Sequence, residues 1–237
     1  MPSNSNRRWE PLERMSPTFF LIAGGLFLIN AVIVVSGITT GSERMTTLLG
    51  ETFNAAAWAI ALVGLLGLYP GVADRSRWLS RIGAICATIG VVVFTILSGL
   101  SLAFYVRIVE GSIQNLVPLI LPGVILGGVL SFLLFGIATL RTEVYPRVIG
   151  GLLLLPPLIV VVNIFRGAAG LDSQYFLLGI VSGLFVVSLV IGFRLRSLSP
   201  LTHGTESMSG SAMDERNPAY VVPILNCLSI DNRISEL

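Results

Sequence analysis

The chain has 237 residues, 54% of them hydrophobic and 12% charged, a balance that no soluble domain of this size needs for one core and that matches the membrane class. All 15 basic residues are arginine, which excludes lysine-dependent covalent catalysis and Schiff-base attachment of a chromophore. The single histidine, His203, lies beyond the apolar segments, so a haem or di-iron centre between them lacks imidazole ligands, and Cys86 and Cys227 do not form a disulfide framework.

Residues 1–17 are polar, carry Arg7, Arg8 and Arg14, and are expected to form a cytoplasmic N-terminal segment. Thr18 to Ile38 then supplies 21 uncharged residues, enough to cross roughly 30 Å of hydrocarbon at about 1.5 Å per residue. The run exceeds the usual core of a signal peptide and Thr39-Thr40-Gly41-Ser42 is a poor cleavage site, so it reads as an uncleaved first span. Thr39 to Thr52 is expected to be a short outer loop. Phe53 to Tyr69 is a second span, rich in alanine and glycine and therefore suited to the inside of a bundle, where backbones approach closely. A turn bearing Arg75, Arg77 and Arg81 follows.

Ile82 to Tyr105 is the third span, whose hydroxyls at Thr88, Thr95, Ser98 and Ser101 are expected to bond back to the preceding turn of helix. Val106 to Ser112 forms a second outer loop with Arg107 and Glu110. The fourth span, Ile113 to Leu140, contains Pro118 and Pro122, each of which removes a backbone donor, so this helix is expected to start late or kink in its outer third. After a second arginine turn, Arg141 to Arg147, a fifth span runs from Val148 to Phe165 with Pro156-Pro157 expected to interrupt its middle. Tyr175 to Phe193 is the sixth span, closed by Arg194 and Arg196. Two glycine pairs at GxxxG spacing, Gly123/Gly127 and Gly179/Gly183, are candidate helix-packing positions.

This reading places ten arginines on one face (7, 8, 14, 75, 77, 81, 141, 147, 194 and 196) against Arg44, Arg107 and Arg166 on the other. The positive-inside rule then makes both termini cytoplasmic. Domain organisation follows: a six-helix transmembrane domain over residues 18–196, all-α and multi-pass in the cell membrane, and a polar tail, 197–237, expected to be disordered apart from an apolar island at Ala219 to Leu228. The two arginine hairpins align at Gly67 with Gly136, Arg81 with Arg147 and Gly83 with Gly150, and run in the same sense, so a duplicated hairpin is one reading and an inverted transporter repeat is not.

Chemistry is sparse. No serine–histidine arrangement exists, and no carboxylate lies at a span centre, where a charge would cost at least roughly 2.5–3.5 kcal/mol and would be kept for a purpose. Asn30 and Asn163 read as interhelical hydrogen-bonding residues. The candidate polar site is at the outer ends of the spans: Arg107, Glu110, Asn163, Arg166 and Asp172. No catalytic, metal-binding or cofactor-binding residue is assigned.

The phrases GLLGLYP and YPRVIGG beside short arginine turns, in a chain without lysine, resemble the uncharacterised six-span integral membrane proteins of prokaryotes, including those of halophilic archaea. The resemblance covers Thr18 to Arg196 and implies the architecture alone. The function expected is that of a non-enzymatic interaction or accessory component, with the bilayer and a membrane protein or a second copy as partners and no nucleic acid. The alternative is a small-solute or lipid transporter or channel that uses the proline-kinked fourth and fifth spans. A continuous polar cavity would favour transport, and a dry centre with small residues facing outward would favour association.

Overall fold

The computed structural model describes residues 10–40, 43–108, 117–168 and 174–198, all within the unit formed by residues 1–200. Residues 1–9 and 199–237, and with them the expectations for the tail, lie outside the described residues. All regular structure among the described residues is helical: α1 (Glu10–Thr40), α2 (Glu43–Gly67), α3 (Tyr69–Ala73), α4 (Arg77–Tyr105), α5 (Val117–Val124), a π-helical segment (Ile125–Leu130), α6 (Ser131–Thr142), α7 (Arg147–Ala168) and α8 (Gln174–Leu198).

Five stretches are long and apolar enough to cross a membrane by length and composition: Pro11–Thr40, Thr47–Gly67, Arg77–Tyr105, Ile120–Thr142 and Phe176–Leu198. The described apolar part of α7, Arg147–Asn163, is shorter.

Helix boundaries reach past the apolar runs. The loop expected over Thr39 to Thr52 is mostly helix, because α1 continues to Thr40 and α2 begins at Glu43, so Glu51 lies within α2. The physical reason is that a helix already formed gains one backbone hydrogen bond with each added residue, and Glu43, Arg44, Met45, Leu48 and Leu49 are good helix formers. Nor do Pro156 and Pro157 break α7, which is helical through both. Each proline removes only the donor for the carbonyl four residues back, at Leu152 and Leu153. The fourth span does depart from α geometry, three residues after Pro122, as the π-helical segment over Ile125–Leu130.

The helices neighbour one another in a closed circuit: α1 against α2, α2 against α4, α4 against the rod formed by α5, the π segment and α6, α6 against α7, α7 against α8, and α8 back against α1. Half of the apolar stretch of α2 is buried, against a third or less in the other four, so the alanine-rich helix is the inner one. Hydroxyls tie it to both neighbours. Ser16 of α1 donates to the Gly64 carbonyl at 2.8 Å, and Ser98 of α4 to the Thr52 carbonyl at 3.0 Å. Thr88 and Thr95 bond back along α4 as expected, to Ala84 and Val91, whereas Ser98 crosses to α2 and the buried Ser101 hydroxyl has no partner among the described residues.

The centre of the unit is aromatic. Trp58 of α2 stacks on Phe94 of α4 with ring centroids 5.7 Å apart, and meets Phe132 of α6 edge-on at 5.7 Å and Phe27 of α1 edge-on at 6.0 Å. Just beside it, α4 and the π segment touch backbone to backbone. A β-carbon placed on Gly90 would lie 2.6 Å from the Gly127 Cα, and one placed on Gly127 would run into the Gly90 backbone. The buried Ser131 hydroxyl donates to the Gly127 carbonyl, giving that acceptor a side-chain donor where the wider π turn disturbs the regular ladder.

Candidate functional site

Only part of the outer polar group expected from the sequence is described. Glu110 and Asp172 lie outside the described residues, and so does the side chain of Arg166. Arg107 is exposed just past the end of α4 with φ of 61°. Its amide bonds to the Phe104 carbonyl at 3.3 Å and that of Ile108 to Ala103 at 3.0 Å, the paired bonds of a helix stop whose left-handed residue is usually glycine. Arg107 is therefore accounted for locally as the residue that ends α4. Asn163 is half-buried on α7, and its Oδ1 is buried without a hydrogen-bond partner among the described residues, which differs from the interhelical acceptor expected. Asn30 is buried on α1, with its Oδ1 2.9 Å from where a β-carbon on Gly50 would sit.

The glycine pairs divide. Gly123 lies against Val93 and Gly127 against Gly90, so both serve the contact between α4 and the fourth rod. A β-carbon on Gly183 would lie 3.4 Å from Ile159 of α7, whereas no described residue lies within 4 Å of one on Gly179, which is exposed.

The opposite end of the unit holds the more connected polar group, which the sequence reading missed. The two arginine turns are clasped together. The Arg75 guanidinium donates from Nη1 to the Thr142 carbonyl at 2.7 Å, capping the last turn of α6, where orphan carbonyls gather partial negative charge. Tyr145 of the second turn lies on Gly71 of the first, its hydroxyl 2.7 Å from where a β-carbon there would sit. That hydroxyl also donates to Glu13 of α1 across a long 3.5 Å contact. Burial, and then the neighbouring Glu13 carboxylate, push the phenol well above its ordinary range, so Tyr145 stays a donor. Glu143, at φ 53° just beyond α6, pairs with Arg147 at 2.6 Å, and the hydrogen bond and charge of Arg147 hold its carboxyl below the usual range. The signal was in the sequence: both turns carry Tyr-Pro, and Gly71 follows the first one directly.

This arrangement fixes α1, α3, α6 and the start of α7 to one another. No group of three or more histidine, cysteine, aspartate or glutamate residues among the described residues is placed to hold a metal ion. No family model, curated protein or solved structure matches the chain.

Proposed function

We propose that this chain is a multi-pass integral membrane protein of the cell membrane, with α7 as a sixth crossing, both termini in the cytoplasm, and a non-enzymatic role as an interaction or accessory component. The observation that carries this reading is the filled centre. Trp58, Phe27, Phe94 and Phe132 occupy the level at which a transport path would need polar groups, and the Gly90–Gly127 contact closes α4 onto the fourth rod beside them. Small residues also face outward, at Gly99, Gly151 and Gly179, where a β-carbon would meet no described residue within 4 Å, which supports close approach by another helix.

The second reading, passage of a solute or lipid along the fourth rod and α7, draws on the π-helical segment and on the buried Asn163 Oδ1, which no described residue hydrogen-bonds. One experiment separates the two. Purification from native membranes in two unrelated detergents, followed by mass spectrometry and by flux measurements in proteoliposomes, is expected to give a stoichiometric membrane-protein partner or a homo-oligomer and no flux above empty liposomes. A monomer that moves solute would overturn the proposal.

A further inference from the structure

Arginines at the clasped end are not equivalent. Arg75 is committed to the Thr142 carbonyl and Arg147 to Glu143, while the exposed guanidinium groups of Arg77 and Arg81, in the first turns of α4, make no hydrogen bond or ion pair with another described residue. Four positions apart, they project from one face of the helix as a pair. Arg194 and Arg196, two apart at the end of α8, point to different sides. Between the pair lies Trp78, 80% exposed, although a tryptophan has every reason to be buried in a soluble fold. Asp74, exposed in the same turn, offsets only one of the three arginines there.

From Trp78 an exposed apolar stripe climbs α4 at alternating spacings of four and three: Ile82, Ile85, Ile89, Val92 and Ile96. At about 100° per residue these positions stay on the arc adjoining the arginine pair, and Ile82 to Ile96 rises about 21 Å, more than the roughly 15 Å depth of one leaflet. The surface thus runs from paired cations through an amphipathic ring to a strip of acyl-chain length. That order matches a phospholipid and its charge matches an anionic one.

We propose that the start of α4 is a binding site for an anionic phospholipid, with Arg77 and Arg81 on the headgroup phosphate, Trp78 at the interface and the isoleucine stripe along an acyl chain. The inference rests on the membrane reading above, and the test keeps the two apart. The full chain is reconstituted into liposomes of equal phosphatidylglycerol and phosphatidylcholine, floated on a density gradient, and then extracted gently so that native mass spectrometry counts the retained lipids.

Wild type is expected to float and to retain phosphatidylglycerol over phosphatidylcholine. The Arg77→Gln/Arg81→Gln variant is expected to float equally and to lose about fivefold or more of that preference. Arg194→Gln/Arg196→Gln, which removes the same charge elsewhere, is expected to keep it, and Trp78→Ala to weaken retention of both lipids. Equal loss in the two double variants would reduce the effect to diffuse charge and overturn the site, as would a wild type without preference. Failure to float would overturn the membrane reading itself.

Discussion

Arg107 and Glu143 hold left-handed backbone at φ of 61° and 53°, each just after a helix ends, where the side chain costs about 1–2 kcal/mol that glycine would not. Arg107→Gly is therefore expected to stabilise the fold by about 0.5–1 kcal/mol in denaturant unfolding, and a loss of stability would mean that the arginine side chain carries a contact. Glycines at GxxxG spacing respond in opposite directions. Gly127→Ala presses on the Gly90 backbone and is expected to cost about 1–3 kcal/mol, whereas Gly179→Ala meets nothing and is expected to be neutral or mildly stabilising through helix propensity. The pH response of Glu143 has a definite sign. Its carboxyl is lowered in the folded state, so its small contribution is present above the ordinary carboxylate value of 4.5 and is lost as pH falls through the lowered one. The melting-temperature difference between wild type and Glu143→Gln is expected to shrink to nothing on acidification from neutral pH, and a constant difference would remove the ion pair as its cause. Sequence alone could not sort these residues, because spacing marks a glycine pair without saying which neighbour fills the groove.

At the scale of helices, α2 was legible as the inner element because Ala55, Ala57, Ala59 and Ala61 leave its backbone open to neighbours on two sides. Its tryptophan, Trp58, then organises the centre. Trp58→Ala removes contacts to α1, α4 and α6 together and is expected to cost about 3–5 kcal/mol, read by thermal unfolding in detergent. The proline effects were legible only in part. Pro118 and Pro122 precede a real departure into π geometry, while Pro156 and Pro157 sit in continuous helix, and residue identity does not reveal whether the freed carbonyls find other partners. The apparent hairpin duplication also fades at this scale. Gly67 packs back on Ser16 of α1, but its counterpart Gly136 packs forward on Leu154 of α7, and Gly83 faces α6 across hairpins while Gly150 faces α6 within its own.

For the whole molecule, two contacts join the arginine-bearing turns to their neighbours. Glu13 of α1, Arg75 before α4, Thr142 at the end of α6 and Tyr145 before α7 meet at one end, so the arginine-bearing turns gather there. The outer polar site was less legible, because hydrogen-bonding residues near span ends cluster by topology whether or not they share a ligand, and Arg107 is explained by ending its helix. What the fold does contain is an aromatic centre, a clasped polar end and an apolar exterior, the division expected when lipid is the solvent. Orientation is the central claim of this account and is tested most directly by cysteine accessibility. In a background lacking Cys86 and Cys227, Ser76→Cys and Ile108→Cys flank α4, and each is treated in intact cells with a membrane-impermeant maleimide. The account predicts that Ile108→Cys labels from outside and that Ser76→Cys labels only after permeabilisation. Labelling of both from one side, or of Ser76→Cys from outside, would contradict it.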